Sequence, residues 1–296
     1  MMRSPSRPPR LAPALIAGCA VWIGCPNAHA YTAAGDRIFP ATLELPQIAP
    51  SDELYFTGNT TPGRGSRTSN FSVLYDKTFT ERLGVWVTGG YNWIDPRLGS
   101  QQAGWQNIDI VAQYTAIVDP AHEFLLSFGI DRQFGGVGAR RAGADPVGAT
   151  TPTVYFGKGL GDVALGWLKP FAVSGFAGYQ LADAAARVDQ ITGGLAVAYS
   201  IPYREALVQS DELPAVIRAT TPMVEFLGST PSRGGSTMLT VAPGFAYAGE
   251  GWELGIEATI PATEASGDGL GVIAQLHFGL DYLFPETIGR PLLARE

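Results

Sequence analysis

Residues 270–284 read Leu-Gly-Val-Ile-Ala-Gln-Leu-His-Phe-Gly-Leu-Asp-Tyr-Leu-Phe, and this stretch has the clearest alternation in the sequence. In an extended chain, every second side chain from Val272 to Phe284 would form an apolar face that ends in aromatic rings. The opposite face would be mixed, with His277 and Asp281 among glycine and aliphatic residues. Such alternation is typical of a membrane β-strand with lipid on one side and a wet interior on the other. The alternative is an amphipathic strand of a soluble β-protein.

The end of the same stretch resembles a targeting pattern. His277, Gly279, Tyr282 and Phe284 have the spacing of the polar-x-Gly-x-x-aromatic-x-apolar signal found at the C-terminus of bacterial outer-membrane barrels. The resemblance implies that the barrel assembly machinery is a partner of this chain. The sequence departs from the usual pattern because a tail, residues 285–296, follows the final aromatic residue.

The N-terminus has the three parts of a secretory signal peptide. A basic region with three arginines precedes an apolar run over residues 11–25, and Ala-His-Ala at 28–30 matches a cleavage site. We therefore expect residues 1–30 to be removed. A second interpretation stays open, because the residues up to Cys19 resemble a lipobox, and cleavage there would leave a lipid-modified cysteine.

Removal of the signal changes the chemistry of the chain. Both cysteines, Cys19 and Cys25, lie within it, so the mature chain has no thiol for a disulfide, a metal site or a nucleophile. It keeps 17 basic and 27 acidic side chains. This acidic balance argues against nucleic acid as a partner, because phosphate backbones bind basic surfaces.

The composition of the remaining chain favours a barrel. No further run of 18 apolar residues occurs, so we expect no membrane-spanning helix. A membrane protein without such helices must be a closed barrel, since only closure leaves no unpaired backbone groups in lipid. Alternating segments predict twelve strands, at about 53–58, 67–79, 83–94, 105–118, 122–134, 152–160, 170–181, 191–203, 217–229, 237–248, 251–261 and 270–284.

We therefore predict an all-β protein: a closed antiparallel transmembrane β-barrel of about 12 strands over residues 52–284, in the bacterial outer membrane. An even strand count places both ends of the chain in the periplasm. Residues 31–51 are punctuated by proline and form an irregular leader, either a periplasmic extension or a plug in the lumen. Residues 285–296 form a periplasmic tail.

Two features fit the strand pattern less well. The connections at 161–169 and 204–216 should be periplasmic but are long, and the second has room for a short helix. Pro222 and Pro243 fall inside predicted strands, where each would remove a ladder hydrogen bond. We expect these prolines to mark bulges or a shifted strand boundary.

Charged residues support the assignment of faces. A charge that faces lipid at mid-depth costs roughly 2–4 kcal/mol, and the acidic residues of the predicted strands fall on the other face. The predicted lumen wall carries Asp109, Glu123, Asp131, Glu225, Glu253, Glu257, Gln275, His277 and Asp281. Its negative sign predicts a channel that favours cations or neutral solutes. The alternative is that these side chains only fill a narrow polar interior.

Other function classes have weaker support. The mature chain has two histidines, His122 and His277, no Gly-x-Ser-x-Gly elbow and no His-x-Ser pair, so we do not expect an enzyme. No His, Cys and carboxylate cluster has metal-ligand spacing, so we expect no metal and no cofactor. The remaining alternatives are a non-conducting outer-membrane barrel that is structural or docks a partner, and a secreted periplasmic β-rich binding protein.

Six stretches between residues 150 and 293 resemble one protein family: 157–162, 168–173, 224–226, 255–258, 272–278 and 288–292. It is a large group of proteobacterial outer-membrane transporters related to the channel-like family named for the meta-pathway of phenol degradation. The resemblance implies a β-barrel that takes up small organic compounds, hydrophobic ones among them. The family has no defined binding motif, so the resemblance assigns no residue roles.

Overall fold

The structure is a computed structural model that describes residues 32–63, 65–210 and 212–293. The predicted signal peptide and the alternative at Cys19 lie outside these residues. Fifteen strands are present: β1 Ala33–Ala34, β2 Arg37–Ile38, β3 Glu53–Pro62, β4 Ser66–Thr80, β5 Leu83–Pro96, β6 Gln102–Trp105, β7 Ile108–Asp119, β8 Phe124–Phe134, β9 Ala149–Gly159, β10 Phe171–Ala182, β11 Gln190–Tyr199, β12 Thr220–Pro231, β13 Met238–Ala248, β14 Trp252–Pro261 and β15 Gly271–Gly279.

Twelve of these strands close into one antiparallel barrel. Each strand from β3 to β15 pairs with its neighbour along the chain, except that β5 pairs directly with β7, and β15 pairs with β3 to complete the ring. The short strand β6 extends the ring beside the end of β5. Strands β1 and β2 form a separate hairpin. The predicted closed 12-stranded antiparallel barrel is confirmed.

Among the described residues, three short α-helices lie at one end of the barrel: α1 Ile201–Leu207, α2 Ala215–Arg218 and α3 Leu280–Leu283. The same end carries the tight turns at 81–82 and 249–251. We call it the periplasmic end, because bacterial barrels have both termini and short turns there, and we call the opposite end the outer end. Of the described helices, none has the length and apolar character needed to span a bilayer.

The two faces of the strands differ in chemistry as the alternation predicts. Outward side chains such as Ile130, Ile256 and Val272 are apolar and exposed, at 57%, 41% and 41%. Inward side chains such as Gln113 and Glu225 are polar and almost completely buried. An apolar outer surface around a polar interior is the arrangement of a membrane barrel.

The last strand is shorter than predicted. The pairing of β15 with β3 ends at Gly279 and Glu53, and beyond that pair the barrel offers no further partner. The chain turns into α3, and the N–H of Leu280 donates to the carbonyl of Asp52 at 2.8 Å. The prediction of one strand over 270–284 is therefore wrong from Leu280 onward, and Asp281 lies on α3 rather than on the barrel wall.

Two other strand ends also differ from prediction, because α1 and α2 occupy the connection between β11 and β12. Ser200 caps α1 by accepting a hydrogen bond from the N–H of Tyr203 at 3.2 Å, and Pro202 lies in the first turn. Both features favour a helix start. The predicted strands at 191–203 and 217–229 were therefore too long at this end.

The prolines do not disturb the register. Pro222 lies just beyond Met223, where the pairing of β12 with β11 ends. Pro243 lies in a gap of the β13–β14 pairing, and the register is the same on both sides of that gap. The expected bulges are therefore wrong, whereas the boundary of β12 is shifted, because this strand begins at Thr220 and not at residue 217. Each proline lies where a ladder partner is already missing, which removes its usual cost.

Candidate functional site

The barrel interior contains a stretch of chain that belongs to no barrel strand. Residues 32–51, which we call the inner segment, include the β1–β2 hairpin and then run irregularly to the start of β3. Inward-facing side chains of β4, β7, β12 and β14 bond to its backbone. The inner segment therefore crosses the lumen near the periplasmic end.

The strongest of these contacts is made by Glu225 on β12. Its carboxylate accepts the backbone N–H groups of Leu43, Glu44 and Leu45 at 2.7, 2.9 and 2.9 Å. A turn closed by Thr42 Oγ1, which donates to the carbonyl of Leu45 at 2.9 Å, directs these three donors to one side. Glu225 is 0% exposed, so these charge-assisted bonds are shielded from water. Burial raises the pKa of Glu44 above its ordinary value.

Other strands hold the same segment through single side chains. Glu253 on β14 accepts the N–H of Ala41 at 2.9 Å. Asp76 on β4 accepts the N–H and the hydroxyl of Ser51 at 2.9 and 3.2 Å. The amide of Gln113 on β7 also donates to a carbonyl of the inner segment, at 3.0 Å. Carboxylates and amides of the wall thus satisfy backbone groups that have no secondary structure of their own.

A buried cluster lies where the inner segment meets β3 and β15. His277 Nε2 is 3.3 Å from Glu53 Oε1, and the His277 ring stacks on Tyr55 with centroids 4.3 Å apart. The Tyr55 hydroxyl also donates to Glu53. The side-chain amide of Gln47 donates to Glu53 at 3.2 Å. The adjoining cavity is about 20 Å³, with room for about one water molecule. The cluster therefore joins the wall to the inner segment and leaves no space for a substrate.

Apolar contacts complete the docking. Phe39, Ile48 and Ala49 of the inner segment pack with Leu125 and Tyr155 of the wall. Wall glycines make room for this packing. A Cβ on Gly157 would lie 2.7 Å from Ile48 Cδ1. A Cβ on Gly255 would lie 2.5 Å from Leu43 Cδ1. The absence of a side chain at these glycines is therefore required by the docked segment.

The start of the inner segment is held by Arg37, which is 0% exposed. Its Nε donates to Glu123 at 3.1 Å, and its Nη2 and Nη1 donate to the carbonyls of Lys169 and Pro170 at 2.5 and 3.3 Å. The guanidinium also lies 3.6 Å from the ring centre of Tyr203 on α1. Tyr203 donates to Glu123 at 2.6 Å, and burial together with this carboxylate raises the pKa of Tyr203 to about 12.

The predicted lumen residues divide into three groups. Those that hold the inner segment, or lie in the buried cluster beside it, are Glu123, Glu225, Glu253 and His277. A second group faces the interior but does not contact the backbone of the inner segment: Asp109, Asp131, Glu257 and Gln275. Asp109 and Asp131 lie near the outer ends of β7 and β8. Asp281 on α3 is outside the wall, and burial and the Glu53 carboxylate raise its pKa to about 7.

Sequence reasoning did not assign Arg37, Glu53, Tyr55 or Asp76. For Asp76 and Glu53 the alternation of β4 and β3 contained the signal, because both residues lie on the inward face. Arg37 gave no such signal, since its neighbours are aperiodic. Among the described residues, no group of three His, Cys, Asp or Glu side chains is arranged to hold a metal ion.

Comparison with solved structures finds barrels of similar architecture. A KdgM porin in complex with disordered oligogalacturonate is 11% identical, with a TM-score of 0.48 over 76% of this chain and 98% of that one. LpxR from Salmonella typhimurium is 8% identical, with a TM-score of 0.48 over 76% and 99%. The β-domain of the Bordetella autotransporter BrkA is 11% identical, with a TM-score of 0.46 over 77% and 98%. No protein-family model and no curated protein matches the chain. These identities assign no residue role.

Proposed function

We propose that the protein is an outer-membrane channel for small organic molecules, which the inner segment closes in the state described. The observation that carries this proposal is the way in which Glu225 holds three backbone N–H groups of a segment outside the barrel wall. Such a segment can leave as one unit without breaking any pair of the barrel ladder.

The size of the ring supports a lumen. A barrel of eight strands is just wide enough to be filled by its own side chains, and the diameter grows with strand number. The twelve strands here enclose more space than that. Several inward positions are glycines, and the inner segment occupies the space that they leave. Removal of the segment would therefore leave a polar passage.

The charges of the wall support a preference for neutral or cationic solutes. Asp109 and Asp131 face the interior near the outer end, and Glu253 and Glu257 follow nearer the periplasmic end. Arg37 is the one described arginine that points into this region, and Glu123 already binds it. An anion would meet like charges along this path. The resemblance noted above adds hydrophobic organic compounds as a candidate class.

We propose no catalytic role for the histidines. His122 lies in an exposed turn, where its Nδ1 is 2.8 Å from Asp119 Oδ2. His277 lies in the buried cluster beside a cavity with room for one water molecule. We also propose that the barrel assembly machinery recognises the end of β15, where His277 and Gly279 lie on the strand and the following aromatic residues lie beyond it.

Single-channel conductance in planar bilayers tests the proposal. We compare residues 31–296 with the same chain lacking 31–51. We expect rare openings for the first chain and steady, cation-preferring steps for the second. Stable insertion of both chains without any conductance would contradict the channel and would favour a barrel that docks a partner.

A further inference from the structure

A second cavity lies at the outer end of the barrel wall, away from the inner segment. Strand β6 pairs with β5 on one side. Its other edge has no partner among the described strands, because β8 pairs with β7 only from Ile108 onward, after β6 has ended. The connection from β8 to β9 folds against the free edge, and the N–H of Ala139 donates to the carbonyl of Trp105 at 2.8 Å. A cavity of about 350 Å³ remains between them. We call it the rim pocket.

The apolar part of the rim pocket is aromatic and points toward the membrane. Tyr91 and Trp105 lie on outward positions of β5 and β6, with ring centres 5.1 Å apart and perpendicular planes. Trp93 continues the group at 4.8 Å from Tyr91. Trp105 is 69% exposed, which is unusual for so large a side chain. Exposed tyrosine and tryptophan are typical of the interface between acyl chains and headgroups.

The polar part of the rim pocket is cationic. Arg141 lines it and donates its Nε to the carbonyl of Ala103 at 3.0 Å, which fixes the side chain along β6. Arg140 precedes it and is also exposed. Within the residues that the structure describes, neither arginine forms an ion pair with a carboxylate. By contrast, Arg132 and Arg187 at the same end are bound to Asp183 and Asp145 at 2.6 and 2.9 Å.

We propose that the rim pocket binds the phosphate-bearing headgroup of a lipid in the outer leaflet. The guanidinium fork matches two oxygens of one phosphate, so Arg141 would hold the anion, and the exposed Arg140 before it adds positive charge nearby. Tyr91 and Trp105 would pack against the sugar or the first carbons of an acyl chain. A lipid satisfies both halves of the pocket, whereas a free phosphate leaves the aromatic half without a partner. The site lies outside the lumen and does not depend on the proposed channel.

The test uses the delipidated mature protein in neutral detergent and measures binding by native mass spectrometry. The probes are lipopolysaccharide, dephosphorylated lipopolysaccharide and inorganic phosphate. We expect lipopolysaccharide to bind, the dephosphorylated form to bind about tenfold more weakly, and inorganic phosphate not to be retained.

Variants locate the site. Arg140→Gln with Arg141→Gln should lower the affinity for lipopolysaccharide about tenfold, and Trp105→Ala should lower it severalfold. Arg233→Gln is the matched control, because Arg233 is an exposed arginine at the outer end on the opposite side of the ring and should leave affinity unchanged. Heat-modifiable gel mobility confirms that each variant is folded. Equal binding of both lipopolysaccharides, an equal loss in the control, or retention of inorganic phosphate would each overturn the assignment.

Discussion

Replacement of Glu225 by alanine should release the middle of the inner segment. The carboxylate accepts the N–H groups of residues 43–45 at 2.7–2.9 Å in a place shielded from water. Hydrogen bonds to charged groups contribute about 1.5–3 kcal/mol each. Three such bonds on one acceptor are not additive, so we expect a loss of about 3–4 kcal/mol in total, because three buried N–H groups lose their acceptor. This energy corresponds to roughly a 10²–10³-fold increase in the undocked population.

Hydrogen exchange followed by mass spectrometry measures this change directly, through the amides of residues 43–45. In the unchanged protein they should exchange slowly, and in Glu225→Ala they should exchange faster by roughly the same 10²–10³ factor. Glu257→Gln is the control, because Glu257 is also buried and interacts with Glu225. The change to Gln keeps the shape and keeps a hydrogen-bonding group beside Glu225, so protection should be kept. If Glu225→Ala left these amides as slow as before, the role of Glu225 would be refuted.

Three further predictions concern packing, lipid exposure and pH. Gly157→Ala should weaken docking of the inner segment by about 1–3 kcal/mol, because the new Cβ would lie 2.7 Å from Ile48 Cδ1. Faster hydrogen exchange of the amides around Phe39 would show this weakening, and unchanged protection would contradict it. Ile130→Arg should destabilise the barrel by roughly 2–4 kcal/mol, because this outward residue faces lipid. Denaturant unfolding in liposomes measures the change, and an unchanged free energy of unfolding would contradict the assignment of Ile130 to the lipid face. Asp281→Asn should have no effect on stability near pH 4 and should stabilise the protein at pH 8. Burial and Glu53 raise the Asp281 pKa to about 7, so the cost of ionisation in the folded state appears as pH rises from about 4 to 7. Equal stability of the unchanged protein and of Asp281→Asn at pH 8 would contradict this cost of ionising Asp281.

The barrel could be predicted because one physical rule acts along every strand. Successive side chains of a strand point to opposite faces, so a shift of one residue would place the whole polar face against lipid. In β15 this rule holds from Val272 to Phe278. It fails at Leu280 because β3 begins at Glu53 and offers no further partner. The apolar sequence continues past that point, so alternation alone extends the strand too far.

The docking of the inner segment could not be predicted in the same way. Its contacts are single backbone N–H groups that bind carboxylates far away in sequence, such as Leu43 with Glu225 and Ala41 with Glu253. Hydrogen bonds of this kind produce no periodic pattern of residue types in the sequence. The lumen acids gave only a common negative sign. That sign predicts a preference among solutes, whereas in the structure several of these acids bind the backbone of the inner segment.

A disulfide that locks the inner segment to the wall tests directly whether this segment closes the channel. A Cβ on Gly255 would lie 3.2 Å from Leu43 Cγ, close to the place of a sulfur introduced at position 43. We would make Leu43→Cys with Gly255→Cys in the mature chain that also carries Glu225→Ala, and record single-channel conductance before and after addition of a reducing agent. Leu43→Cys alone in the same background is the control and should not respond to reduction. We expect no conductance steps while the disulfide is present and steady steps after its reduction. Steps of equal size in both states would contradict the claim that the inner segment closes the channel.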